Sequence, residues 1–79
     1  MTAKDFFEND RFAKETGVVL KEVRPGYGKT EMTVDFRHLN AGNTTQGGAI
    51  FTLADLALAA AANSHDKLSL SLNSSIHFF

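Results

Sequence analysis

The order of apolar and polar residues along the chain predicts two helices and three strands. A rough stripe of phenylalanine and alanine at helical spacing indicates a helix over residues 3–15, with Thr2 as its cap and Gly17 near its end. Strict alternation, the period of a half-buried strand, covers Leu68–Phe79. A hairpin and a second helix are predicted between these segments. Together the elements indicate the α+β fold class.

Two strands joined by a tight turn predict the hairpin. β-branched residues favour a strand over Val18–Arg24, and Pro25-Gly26 is a turn signal. Alternation over Tyr27–Phe36 predicts a second strand, which places four side chains on one face: Thr30, Met32, Val34 and Phe36. The hairpin is therefore expected to turn this face towards a core and the other towards water.

The second helix, Ala49–Ala62, is the most informative segment. Twelve of its 14 residues are apolar, and only Thr52 and Asp55 interrupt the run. A helix without a polar stripe has to be enclosed on most sides, which favours a strongly curved sheet around it over a flat one. The run is too short and too interrupted to span a bilayer.

Composition indicates a folded protein and excludes several kinds of site. Of 79 residues, 43% are hydrophobic and 22% are charged, which is typical of one globular domain, here residues 1–79. The absence of cysteine excludes disulfides and thiolate metal sites. The spacing of the three histidines, His38, His65 and His77, is not that of metal ligands, so no metal is expected. Each histidine is instead expected to face solvent or to cap a structural element.

Charge and targeting signals narrow the partners further. A net charge of -1 with no basic cluster argues against nucleic acid. The N-terminal residues lack the basic-then-apolar order of a signal peptide, so the expected location is the cytoplasm, with no membrane partner.

The segment from Leu39 to Asp55, LNAGNTTQGGAIFTLAD, resembles the signature of the hotdog-fold acyl-CoA thioesterases, and most closely the phenylacetate-pathway type. The flanking helix, hairpin and final strand agree with that family's order of elements. The resemblance implies a hotdog fold, in which a curved antiparallel sheet wraps a long central helix. The chain ends before the family's last strands, so we expect a C-terminally truncated domain.

The resemblance implies a reaction and a set of site residues. The reaction is hydrolysis of an acyl- or aryl-CoA thioester by a homodimer or homotetramer with sites between subunits. No cofactor is needed, because coenzyme A is part of the substrate. Three residues would be catalytic: the Gly47 amide polarises the carbonyl, Asp55 acts as base or nucleophile, and Asn40 assists carbonyl binding. Three more would bind substrate: Gln46, Gly48 and Ser71. Gln46 stands where the family most often has histidine, and its amide donates a hydrogen bond but shuttles no proton.

Apart from Gln46, each of these residues also has a structural interpretation. The two glycines permit a tight turn and close packing. Asn40 stabilises its own loop through side-chain bonds to the backbone, Asp55 faces solvent, and Ser71 lies on the polar face of a strand. The alternative to an enzyme is a truncated, non-catalytic hotdog protein that binds acyl ligands or only self-assembles.

Overall fold

The computed structural model describes residues 3–64, and this part of the chain is α+β. Its elements, in chain order, are α1 (Ala3–Phe7), α2 (Arg11–Thr16), β1 (Val19–Arg24), β2 (Tyr27–Glu31), a 3-10 turn (Phe36–His38) and α3 (Gly47–Ala62). The predictions for the Thr2 cap, His65, Ser71, His77 and the strand Leu68–Phe79 lie outside the described residues. None of the helices in residues 3–64 is long and apolar enough to cross a membrane.

The single N-terminal helix predicted over residues 3–15 is wrong, because two short helices occupy this stretch. Asp10 separates them. Its backbone is extended, and its carboxylate accepts a hydrogen bond from the Ala13 N–H at 3.0 Å, so that it caps a new helix. Gly17 ends α2 as predicted, with a left-handed φ of 88° that favours glycine.

The hairpin is confirmed. β1 and β2 pair antiparallel, and Arg24 and Tyr27 flank the turn at Pro25-Gly26. The predicted alternation holds for Thr30 on β2 and for Met32 directly after the strand, and both are half-buried.

The prediction that β2 reaches Phe36 is wrong. The strand ends at Glu31, and Phe36 is 88% exposed. Asp35 explains the difference, because its side chain accepts the Arg37 N–H at 3.1 Å and starts a 3-10 turn. Side chains in such a turn do not alternate, so Phe36 loses the face that a strand would give it, and Val34, which lies between the strand and the turn, is also exposed.

Helix α3 begins two residues before the predicted Ala49 and ends at the predicted Ala62. One face of it packs into the core, which consists of Ala13, Val18, Leu20, Leu56 and Ala60. The opposite face is exposed, including Asp55 and Leu58, the latter by 52%. Within residues 3–64 the helix is therefore covered on one side, and its enclosure by a curved sheet stays a prediction.

Contacts to main-chain atoms hold α3 against the hairpin. Gly28 lies directly under the helix, where a Cβ atom would overlap the Ala57 carbonyl oxygen and approach the Ala61 nitrogen to 3.2 Å. The Thr30 hydroxyl donates a hydrogen bond to the Leu53 carbonyl at 2.7 Å. At the far end of the helix, the Gly26 N–H donates to the Ser64 hydroxyl at 2.7 Å. These contacts fix the position of α3 on the hairpin.

Candidate active site

The first two backbone N–H groups of α3 define the candidate site. Gln46 is the N-cap, and its carbonyl accepts hydrogen bonds from the N–H groups of Ala49 at 3.0 Å and Ile50 at 3.3 Å. The N–H groups of Gly47 and Gly48 have no acceptor among residues 3–64. The first N–H groups of a helix carry the positive end of its dipole. They can therefore bind a carbonyl oxygen or stabilise a developing oxyanion.

Gln46 lies beside this helix start. Its side chain makes no capping hydrogen bond, and its amide has no hydrogen-bond partner within residues 3–64. Its Cγ lies 3.9 Å from the position that a Cβ of Gly48 would take. An uncommitted side-chain amide at this position offers both a donor and an acceptor to a ligand.

A cleft of about 340 Å³ opens at the same place. Residues of α2, the 3-10 turn and the start of α3 line it, including Phe12, Thr16, Arg37, His38, Gln46 and Gly48. The structure thus brings Gln46 and Gly48, two of the predicted binding residues, to one cleft.

Asn40 lies in the loop that precedes α3, and its side-chain oxygen is fully engaged there. Oδ1 accepts from the Gly42 N–H at 2.9 Å, from the Thr44 N–H at 3.2 Å and from the Thr44 hydroxyl at 3.1 Å. This is the loop-stabilising role that the sequence left open. Because two backbone donors fix the oxygen, the side-chain NH₂ group points away from them and has no partner within residues 3–64. Loop support and donation to a ligand are therefore compatible.

Asp55 lies on the exposed face of α3, the face that also carries Gly48. Its carboxylate has no ion-pair or hydrogen-bond partner in the described part of the chain. Asp55 follows Gly48 by seven positions, which correspond to two turns, or about 10 Å along the helix axis. One carbonyl group cannot contact both within a single chain.

His38 was not predicted as a site residue, and its solvent-facing interpretation is wrong, since it is 3% exposed. Its capping interpretation is confirmed. The ring Nδ1 accepts the Asp35 N–H at 2.9 Å, and the Asp35 carboxylate accepts the Arg37 N–H, the N-cap bond of the 3-10 turn. The spacing of Asp35 and His38 is that of a capping box, which is the signal that identifies this role from sequence.

The described residues contain no group of three or more His, Cys, Asp or Glu side chains that could hold a metal ion. Ser71, the remaining predicted binding residue, lies outside them. Of the predicted site, the structure therefore places Gly47, Gly48 and Gln46 together, Asn40 in the preceding loop, and Asp55 two turns further along α3.

Comparison with known proteins gives two relatives. A protein of Archaeoglobus fulgidus named "Putative esterase" is 46% identical over 76 residues, which are 95% of this chain and 49% of that protein. The acyl-coenzyme A thioesterase PaaI of Escherichia coli is 34% identical over 76 residues, which are 96% of this chain and 54% of the enzyme. The chain thus spans about half the length of the curated relatives it matches. No family model and no solved structure matches it.

Proposed function

We propose that this protein is an acyl-CoA thioesterase of the hotdog fold, which hydrolyses an acyl- or aryl-CoA to the free acid and coenzyme A. The observation that carries the proposal is a pair of N–H groups, at Gly47 and Gly48, that have no acceptor among residues 3–64. Asp55 follows two turns later on the same exposed helix face. The names of the two relatives, an esterase and an acyl-CoA thioesterase, support the class of reaction.

The active site in this proposal is formed by two chains. Because about 10 Å separates Gly48 from Asp55 along the axis, the carbonyl donor and the carboxylate have to come from different copies. An antiparallel pair of α3 helices places Asp55 of one chain beside Gly47 of the partner subunit. The exposed Leu58 and Ala62 on the same face supply apolar contact area for that pairing. We therefore expect a homodimer, or a homotetramer built from such dimers.

In the reaction, the thioester carbonyl oxygen accepts a hydrogen bond from the Gly47 N–H. The Asn40 NH₂ group and the Gln46 amide act as further donors, and the missing Cβ of Gly48 leaves room for the substrate. Asp55 removes a proton from water as the water attacks the carbonyl carbon, with Ser71 near that water. The carbon–sulfur bond then breaks, and the departing thiolate takes up a proton.

A second route keeps the same residues. Asp55 attacks the carbonyl directly, coenzyme A leaves, and water cleaves the resulting anhydride. Water and substrate supply every atom on either route, so the proposed reaction requires no cofactor.

The fold proposal adds a curved sheet, including Leu68–Phe79, around the other sides of α3, and the proposed location is the cytoplasm.

The test is release of free thiol by the full-length protein from a panel of aryl-CoA and short and medium aliphatic acyl-CoA substrates. We expect turnover of at least one member and much slower cleavage of the matching oxygen esters. Absence of thiol release above background from every member, with folded protein, would overturn the proposal. Preferential cleavage of the oxygen esters would identify an esterase instead.

A further inference from the structure

His38 is the buried polar side chain of the described residues. Its ring lies between two backbone groups: Nδ1 accepts the Asp35 N–H at 2.9 Å, and Nε2 contacts the Thr16 carbonyl oxygen at the end of α2. A carbonyl oxygen only accepts, so Nε2 donates a proton to it. The imidazole therefore joins the 3-10 turn to α2.

The backbone of His38 connects the same point to the start of α3. Its carbonyl accepts the Gln46 N–H at 2.6 Å, and Leu39 and Thr45 form a β-bridge. Residues 38–46 are thus a closed loop whose two ends meet at His38. Asn40 lies near one end of this loop, and the free N–H of Gly47 follows the other directly.

We propose that His38 is a positioning residue, which clamps the closed loop 38–46 to α2 and so holds the Asn40 amide and the Gly47 N–H in a fixed relative position. The catalytic part of this inference rests on the proposed thioesterase function. Arg37 strengthens the same clamp, because its Nη1 donates to the Glu15 carbonyl at 2.8 Å. Two donors that act on one carbonyl oxygen need this precision, since a displacement of roughly 1 Å can cost about 100-fold in rate.

Three substitutions at His38 separate its two hydrogen bonds. His38→Ala removes both. In His38→Asn the side-chain oxygen takes the place of Nδ1 and keeps the Asp35 bond, but the side chain is too short to reach Thr16. His38→Gln carries an NH₂ group far enough to donate to the Thr16 carbonyl and so keeps the clamp to α2.

The expected kinetic result, with kcat expressed per folded molecule, is a loss of about 10- to 100-fold in His38→Ala with KM within about threefold of wild type. His38→Gln should recover kcat to within about fivefold of wild type, while His38→Asn should stay low. Leu20→Ala is the matched control, because Leu20 is equally buried but belongs to the core and not to the loop. It should destabilise the protein and leave kcat per folded molecule unchanged.

A second measurement is independent of activity. Amide resonances of Gly47 and Gly48 should shift in His38→Ala and His38→Asn, return towards wild type in His38→Gln, and stay constant in Leu20→Ala. Inactivity of the wild type would remove the thioesterase proposal, and the glycine amide shifts would still decide the clamp. The inference would be overturned if folded His38→Asn kept the wild-type kcat or left the glycine amide resonances unshifted. This criterion applies even if His38→Ala fails to fold.

Discussion

Replacement of Asp55 by asparagine is expected to lower the rate of acyl-CoA hydrolysis by about 10²- to 10⁴-fold, the range for loss of a general base. Asparagine has the same shape as aspartate but neither accepts the proton of water nor attacks the carbonyl. Asp55 is exposed and has no partner among residues 3–64, so the free energy of unfolding should change by less than about 0.5 kcal/mol. The measurement is kcat from thiol release, together with a thermal melt.

The matched control for this substitution is Glu31→Gln. It removes one exposed carboxylate at the end of β2 that does not line the cleft, and both rate and stability should stay at wild-type values. An Asp55→Asn protein that kept wild-type turnover would exclude the carboxylate from the mechanism.

The two-chain site gives a second expectation that involves Asp55. Gly47→Pro removes the proposed donor N–H, and proline is well tolerated at the first position of a helix. The preceding Gln46 has φ -59° and ψ 130°, which suits a residue before proline. Loss of one oxyanion donor should cost about 10²- to 10³-fold in kcat.

When the inactive Asp55→Asn and Gly47→Pro proteins are mixed and allowed to exchange subunits, activity should return to about a quarter of the wild-type level. Random pairing makes about half of the dimers mixed, and in each mixed dimer one of the two sites has both groups intact. If both groups acted within one chain, every site would lack one of them and mixing would restore nothing.

The parts of the fold that sequence predicts well are those where burial decides the structure. The apolar run Ala49–Ala62 predicts a helix, and the alternation around Thr30 and Met32 predicts the side of the hairpin that packs against this helix. Both patterns are informative because they follow from which side chains are buried. α3 starts two residues earlier than predicted because of a contact outside the helix. The bond from the Gln46 N–H to the His38 carbonyl fixes where the loop ends, although glycine is a poor helix former.

The wrong predictions come from aspartate side chains that compete for backbone N–H groups. Asp10 divides the N-terminal helix by capping a new one, and Asp35 ends the alternation before Phe36 by capping a 3-10 turn. Apolar periodicity does not contain this information, since Val34 and Phe36 fit a strand by pattern alone. Only the local position of a capping side chain, two or three residues before the N–H that it accepts, indicates the new helix start.

The sequence motif predicts the candidate site residues, and the structure adds the contacts that each of them makes. The motif predicts Gly47 and Asp55 as site residues and, by resemblance, a site between subunits, whereas their separation of about 10 Å follows from both lying in one continuous helix. Asn40 shows the same limit. The sequence leaves loop support and ligand binding as alternatives, and the hydrogen bonds of Oδ1 make the two compatible.

Substitution of Gly28 by alanine is expected to lower the free energy of unfolding by about 2–3 kcal/mol, the upper part of the range for overpacking. The added Cβ would overlap the Ala57 carbonyl oxygen and crowd the Ala61 nitrogen, both in the backbone of α3. A backbone cannot rotate away as a side chain does, so the helix has to move off β2. For a domain of this size the melting temperature should fall by roughly 10–20 °C. Gly42→Ala is the control, because its Cβ meets only the Asn40 oxygen at 3.4 Å, an ordinary contact.

A double variant shows whether the obstacle is backbone or side chain. Trimming Ala57 to glycine would relieve a clash with the Ala57 methyl group, but it leaves the carbonyl oxygen in place. Ala57→Gly alone should cost about 1 kcal/mol in helix propensity, and in combination with Gly28→Ala the two losses should add without rescue. Recovered stability in the double variant would instead mean that the helix backbone lies further from β2. Because α3 carries both Gly47 and Asp55, a helix displaced at Gly28 should also lose turnover, which links the packing of the hairpin to the proposed chemistry.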